Sequence, residues 1–293
     1  MPAYVPAATA PAWFLENLRQ PGMPHYVQYG EQARVHFLGW NWDDRSLPAL
    51  LLVHGFGGHT RWWSYLAPFF ADRYRVAALD LPGMGDSSPP PRYDDDCFAN
   101  GILEVIRREA LREVTIVGHS FGGLQTLRAM SSAPQLFRQG IVVDSLVCLP
   151  PEEPPPVLEP RGFHKHYSSL AQCMARFRLV PEQPRTNPEL IDFIAYHSCR
   201  LSERGWHWKF DARVCNYGEL KDFAALRDIA ARVDCIYGEA SVFNVDDRPA
   251  RLRDYFGNPG EVVIVPEAHH HLMIDHPLEL VASIDRLLLP PQG

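Results

Sequence analysis

The stretch Val114-Thr115-Ile116-Val117-Gly118-His119-Ser120-Phe121-Gly122-Gly123 constrains this chain more than any other. Val114 to Val117 is a short apolar run that reads as a buried strand. Gly118-His119-Ser120-Phe121-Gly122 fits the pattern G-x-S-x-G, and Leu124 to Met130 continues as a helix. A strand, a sharp turn and a helix around the pattern give a five-residue match structural meaning. Such a turn strains the serine backbone and lifts its hydroxyl clear of the sheet. Gly118 and Gly122 leave room where strand and helix meet. The helix N-terminus brings partial positive charge and N–H groups close to Ser120. An ordinary serine in a glycine-rich turn is the plainer alternative, and the flanking elements weigh against it.

Val117 to Gly123 resembles the nucleophile elbow of the α/β-hydrolase superfamily. The resemblance implies an α/β fold, with a mostly parallel central sheet, helices on both faces and a helical cap insertion. The 293 residues, 46% of them hydrophobic, suit one large α/β domain with an insertion. The net charge of −7 speaks against nucleic acid as a partner. Six scattered cysteines with no C-x-x-C read as reduced thiols of a cytoplasmic protein. No apolar run approaches the roughly 20 residues that span a bilayer. Met1 to Pro11 lacks a basic region followed by an apolar core, so no signal peptide is expected.

Residues 1–24 are expected to form an N-terminal arm around Trp13 to Leu18. His25 to Val27 and Ala33 to Leu38 alternate around Gly30 and predict a hairpin that opens the sheet. His36 reads there as a strand surface residue. Leu50 to Val53 is a buried strand, followed by His54-Gly55-Phe56-Gly57-Gly58, which resembles the H-G-x-x-G oxyanion loop of the superfamily. That resemblance implies that the backbone N–H groups of Phe56 and Phe121 form the oxyanion hole and that His54 holds the loop. Trp62, Trp63 and Tyr65 are expected on a helix. Tyr74 to Asp80 is the next strand, and Leu81 to Ser87 resembles the D-x-x-G-x-G-x-S loop, in which Asp80 ties up loop amides. Asp94, Asp95 and Asp96 lack calcium-loop spacing and are expected to open a helix over about Phe98 to Ala110.

Gly140 to Ser145 is a further strand with Asp144 at its C-terminal end, where open parallel sheets bind ligands. From 146 to 214 the pattern changes. Pro150, Pro151, Pro154, Pro155, Pro156 and Pro160 break regular structure, and helices follow around Tyr167 to Phe177 and Glu189 to Leu201. This segment resembles the helical cap, leaving 25–145 and 215–293 as the core. Met174, Phe177, Phe193 and Tyr196 read as cap interior rather than pocket lining. Gly205 to Asp211 marks where the cap rejoins the body. Val233 to Gly238 and Val262 to Val265 are the last strands, and Leu280 to Leu288 the closing helix.

The superfamily commonly carries a Gly-x-x-Asp loop after the penultimate strand. This chain has Gly238-Glu239-Ala240-Ser241, with serine at the usual acid position. The superfamily's ending, G-x-G-H with an acid five residues later and a proline two beyond, aligns on Asp275 and Pro277 and points to His270 as the catalytic histidine. Three consecutive histidines, His269 to His271, face different directions and do not share a tetrahedral ion, so no metal is expected. Three acids compete for the remaining role. Asp144 lies at a strand end used by some branches of the superfamily. Asp246, with Asp247 beside it, is the alternative if its loop folds back. Glu239 reads as a loop residue. The chemistry then needs Ser120 as nucleophile, His270 as base and acid, and a carboxylate to hold the imidazole tautomer. It predicts cofactor-free hydrolysis of a small-molecule ester, thioester, lactone or amide, with no membrane partner. A serine nucleophile speaks against the dehalogenase and epoxide hydrolase branches, which use aspartate. Carbon–carbon bond hydrolysis and a non-catalytic ligand-binding receptor on the same fold stay open.

Overall fold

The computed structural model describes residues 3–94, 96–149, 152, 165–184, 187–216 and 224–288. The expected proline-broken stretch at 150–164 falls almost wholly outside the described residues, as does Asp95. In chain order the strands are β1 (Met23–Tyr29), β2 (Ala33–Trp40), β3 (Ala49–Val53), β4 (Arg75–Leu79), β5 (Val114–His119), β6 (Phe137–Val143), β7 (Cys199–Ser202), β8 (Gly205–Trp208), β9 (Arg232–Gly238) and β10 (Pro259–Val265). The α-helices are α1 (Ala12–Leu18), α2 (Cys97–Arg108), α3 (Phe121–Ser132), α4 (Leu170–Met174), α5 (Pro188–His197), α6 (Arg248–Tyr255), α7 (Leu272–Asp275) and α8 (Pro277–Leu287).

Eight strands form one sheet in the order β1-β2-β4-β3-β5-β6-β9-β10. β1 and β2 are antiparallel to each other, β2 is antiparallel to β4, and the other neighbours run parallel. From β3 the chain steps outward to β4, then returns past β3 to place β5 on its other flank. The order therefore reverses between β3 and β5, where a parallel sheet opens a crevice at its C-terminal edge. The two glycine-rich loops leave the sheet at that crevice.

Alternating side chains along each strand feed two cores. Leu51 and Val53 face one core with Phe98, Ile102 and Ile106 of α2, Leu127 of α3 and Leu252 of α6. Leu50 and Leu52 face the other with Phe14 of α1, Trp63, Phe70, and Leu280 and Ile284 of α8. Both faces of β3 are covered and all five of its residues are buried, as expected of an inner parallel strand.

Several details depart from the sequence-based expectations. Trp62 closes a short 3-10 turn, Thr60–Trp62, in place of a helix. The helix expected around Tyr167 to Phe177 is only α4, and the one expected to reach Leu201 stops at His197. Beyond it the chain enters the β7–β8 hairpin, whose strands are too short to show a clear alternation. Phe193 is buried and packs against Phe14 and Tyr65 of the body as well as against His197 of its own helix. The N-terminal segment reaches the same helix: Thr9 Oγ1 donates to Glu189 Oε1 at 2.9 Å, and the Tyr4 ring meets Phe193 and Tyr196.

His36 is the clearest correction. It is buried, and its Nδ1 lies 2.7 Å from Asp80 Oδ2. Asp80 is a junction for the whole edge of the site. Its Oδ2 also accepts from the Asp86 N–H at 2.7 Å, its Oδ1 from the Thr60 N–H at 2.6 Å, and its carbonyl from the Ser87 hydroxyl at 2.6 Å. Burial alone would push this carboxyl up. The hydrogen bond and charge of His36, with His54 and the Asp86 N–H, instead hold it below the ordinary carboxylate range. Removing one member of a buried, hydrogen-bonded pair costs about 3–5 kcal/mol. Asp80→Ala is therefore expected to lower the melting temperature by roughly 10 °C in a chain of this size. A thermal melt within a degree of wild type would show that the junction contributes little.

Candidate active site

β5 ends at His119, and Ser120 follows with φ 53° and ψ −123°, before α3 begins at Phe121. Such a backbone is strained for a residue with a side chain and persists only where its surroundings over-determine it. Here the Ser120 N–H donates to the Val143 carbonyl of β6 at 2.9 Å, and its own carbonyl accepts from Gly123 N–H at 3.0 Å. Gly122 is required by close approach, because a Cβ there would collide with the His54 carbonyl. The β3 loop thus lies directly against the start of α3. A Cβ on Gly55 would sit 2.9 Å from His119 Nδ1 and 3.1 Å from Ser120 Cβ. His54 anchors this loop, accepting the Leu81 N–H on Nε2 at 3.0 Å with Nδ1 2.7 Å from the Gly55 carbonyl. The Phe56 N–H has no acceptor among the described residues. The Phe56 ring packs edge-on against Phe121 at 5.6 Å and against Phe210 at 5.3 Å.

Across the crevice, His270 Nδ1 lies 2.9 Å from Asp144 Oδ1, and both side chains are buried. Two further donors converge on this carboxyl. The Ser241 hydroxyl reaches Oδ1 at 2.6 Å and the Gly238 N–H reaches Oδ2 at 2.8 Å. Three donors aimed at its two oxygens favour the carboxylate form. Burial pushes the Asp144 carboxyl up to about 7, against the smaller opposing pull of Ser241, Gly238 and His119. Burial pushes His270 down, so the ring is neutral at neutral pH. With Nδ1–H donated to Asp144, the His270 Nε2 is left as the basic nitrogen.

The neighbouring histidines do different work. His269 Nδ1 and N–H both meet Asp275 Oδ2, at 3.1 and 2.7 Å. His271 Nδ1 and N–H meet Gln183 Oε1, at 2.7 and 2.8 Å. His119 Nε2 lies 2.9 Å from the His270 carbonyl and must donate to it, which fixes the backbone carrying His270. The Phe243 ring closes the other side of His270 at 4.7 Å.

The three competing acids separate cleanly. Asp144 touches His270. Asp246 is exposed, with φ 51°, on the turn before α6. Glu239 is exposed and accepts the Glu267 N–H at 2.9 Å. Ser241, Gln183 and His119 were not foreseen as neighbours of the histidines. Ser241 had a signal, since it occupies the common acid position and so falls beside the histidine. Gln183 had none, because the segment that brings it to His271 carries no motif.

A profile of the alpha/beta hydrolase family matches residues 50–284. An esterase of Mycobacterium tuberculosis is 25% identical over 293 residues, covering 94% of this chain and 95% of that protein. Epoxide hydrolase 3 of Xenopus tropicalis is 30% identical over 308 residues, covering 94% of this chain and 80% of that protein. Among solved structures, a thioesterase domain from the curacin biosynthetic pathway has a TM-score of 0.73 at 23% identity, covering 90% of this chain and 99% of that one. The profile spans most of the sheet and every element described around Ser120, and the chain belongs to the alpha/beta hydrolase family.

Proposed function

We propose that this hydrolase cleaves a small-molecule ester, thioester, lactone or amide through an acyl-serine intermediate. Ser120 is the nucleophile, His270 the general base and acid, and Asp144 the third member of the triad. The observation that carries this reading is the buried 2.9 Å contact between Asp144 and His270 on the same crevice edge as the strained Ser120 turn. In this reading His270 Nε2 takes the Ser120 proton as Oγ attacks the substrate carbonyl. The negative charge that develops on the carbonyl oxygen is met by the N–H groups of Phe56 and Phe121. The tetrahedral intermediate collapses, and the leaving group takes the proton from His270. Water, deprotonated by the same nitrogen, then releases the acid. Asp144 keeps the proton on Nδ1 and stabilises the imidazolium in both transition states.

A serine at the turn favours this chemistry over that named for the Xenopus relative, because the epoxide hydrolase branch uses aspartate there. The name of the mycobacterial relative agrees with ester cleavage. We also read residues 146–214 as a cap over the site. The Phe210 ring against Phe56 and the Gln183 contact to His271 support it. The buried free thiols Cys97, Cys148, Cys173, Cys199 and Cys235 fit a cytoplasmic setting.

Ser120→Ala is expected to lower turnover of an activated ester by on the order of a millionfold and to abolish fluorophosphonate labelling in a folded protein. Wild-type turnover in that variant would end the hydrolytic reading. Asp144→Asn should cost about ten-thousandfold by permitting the wrong tautomer, whereas Asp246→Asn stays mild. His270→Ala should be inactive, with smaller losses for His269→Ala and His271→Ala. Steady-state kinetics on the six variants check the ranking, and an Asp246 variant worse than Asp144→Asn would move the acid to the later loop.

A further inference from the structure

The Ser241 hydroxyl has a fixed hydrogen-bonding direction. Its Oγ lies 3.1 Å from the Phe243 backbone nitrogen and 2.6 Å from Asp144 Oδ1. A backbone N–H can only donate, so Oγ accepts from Phe243 and its own proton is directed at Asp144. The buried turn that carries Ser241 is pinned along its length. The Ala240 N–H donates to the Ala268 carbonyl at 2.9 Å, the Ser241 N–H to the Gly238 carbonyl at 3.2 Å, and the Ser241 carbonyl accepts from Asn244 at 3.1 Å. Asp144 is equally constrained. Its φ of 44° is a left-handed backbone, and its N–H donates to the Ile236 carbonyl at 2.7 Å. The oxygen that receives the Ser241 proton, Oδ1, is the one that faces His270 Nδ1 at 2.9 Å, while Oδ2 takes the Gly238 N–H at 2.8 Å. Phe243, which anchors the hydroxyl, also lays its ring edge-on against His270 at 4.7 Å.

A proton added to Oδ1 would point at the hydrogens of Ser241 and His270, and one added to Oδ2 at the Gly238 N–H. Burial favours the protonated acid all the same, and Ser241 is foremost among the groups that oppose it. We propose that Ser241 is a positioning residue of the triad: by donating to Asp144 it keeps that carboxylate ionised and aimed at His270, and so sets the lower pH limit of Ser120 reactivity. This rests on the hydrolytic reading above, with Asp144 as the acid. The Asp144–His270 pair takes up its proton as a unit. Loss of the hydroxyl raises the proton affinity of the pair wherever the proton settles. On Asp144, the ionised oxygen has lost a donor. On His270, the carboxylate beside the imidazolium keeps more of its charge. The other titratable groups around the pair are His119 and His271, both held neutral by burial, and Tyr237 of β9, whose hydroxyl donates to the Ser145 carbonyl at 2.6 Å. Asp275, with its partner His269, and Arg248 of α6 act at longer range. All of these are kept when Ser241 alone is changed, so a shift in the pH profile reports the hydroxyl.

The test follows the rate of fluorophosphonate labelling of Ser120 against pH, which requires no knowledge of the substrate and reports the ionisation of the free enzyme. Ser241→Ala is expected to move the acidic limb of the profile upward by about one pH unit, the usual worth of a hydrogen bond to a charged group. Ser241→Thr keeps the hydroxyl and should return the limb to its wild-type position. Ser241→Cys, a weaker donor, should fall between, and it carries the test if Ser241→Ala does not fold. Thermal melts report folding. A residue that only packs would lower the melting temperature or the plateau rate and leave the limb in place. An unmoved limb in the alanine and cysteine variants, with Asp144→Asn still slow to label, overturns the role of Ser241 and spares the triad. An equal shift in the alanine and threonine variants overturns that role as well. No labelling of wild-type Ser120 at any pH overturns the hydrolytic reading and the role of Ser241 with it.

Discussion

The hydrogen bond between Asp144 and His270 is the interaction on which the rest of the site depends. It joins residues 126 positions apart in sequence, and it exists because β6 and β10 both flank β9 in one parallel sheet. Parallel neighbours deliver their C-terminal ends to the same edge. The turn after β6 and the loop after β10 therefore meet over the end of β9. β9 itself contributes the Gly238 N–H, and the turn beyond it the Ser241 hydroxyl. A carboxylate this deeply buried is expensive unless its oxygens are satisfied. The three donors offset part of that cost and hold Asp144 in one orientation, and the imidazole inherits it.

The opposite side of the crevice is organised by Asp80, which plays no part in the proposed chemistry. Its carboxylate gathers the 3-10 turn at Thr60, the loop at Asp86 and the buried His36 of β2. The Leu81 N–H beside it reaches His54, which holds the loop bearing Phe56. Two buried aspartates thus serve one site in different ways. Asp144 is held close to the histidine it orients, and Asp80 keeps the β3 loop pressed against the start of α3.

Much of this was legible in the sequence because it depends on local chemistry. The glycines around Ser120 and after His54 announce tight approaches, and the apolar runs before them announce buried parallel strands. The spacing from His270 to Asp275 and Pro277 separates one histidine from its neighbours. Serine at 241, the usual acid position, left Asp144, Asp246 and Glu239 as candidates, and Asp144 ended a strand. What stayed hidden depends on side chains meeting over long sequence distances. His36 looks like any alternating strand residue until β4 brings Asp80 beside it. The β7–β8 hairpin has only four residues per strand, too few for a period to declare itself. Gln183 reaches His271 through a segment with no periodicity, and the contacts of Phe193 with Phe14 and Tyr65 join distant parts of the chain.

The Asp144–His270 hydrogen bond can be observed without a substrate. A proton held between imidazole Nδ1 and a buried carboxylate is strongly deshielded and slow to exchange, so it resonates far downfield in the proton NMR spectrum. Wild-type protein is expected to show such a resonance from His270, coupled to nitrogen-15 in the imidazole range and distinguished from that of the buried His36–Asp80 pair by its persistence in His36→Gln. It should vanish in Asp144→Asn and persist in Asp246→Asn. Its survival in Asp144→Asn, or its loss in Asp246→Asn, would contradict the account, because His270 would then be paired with a different acid.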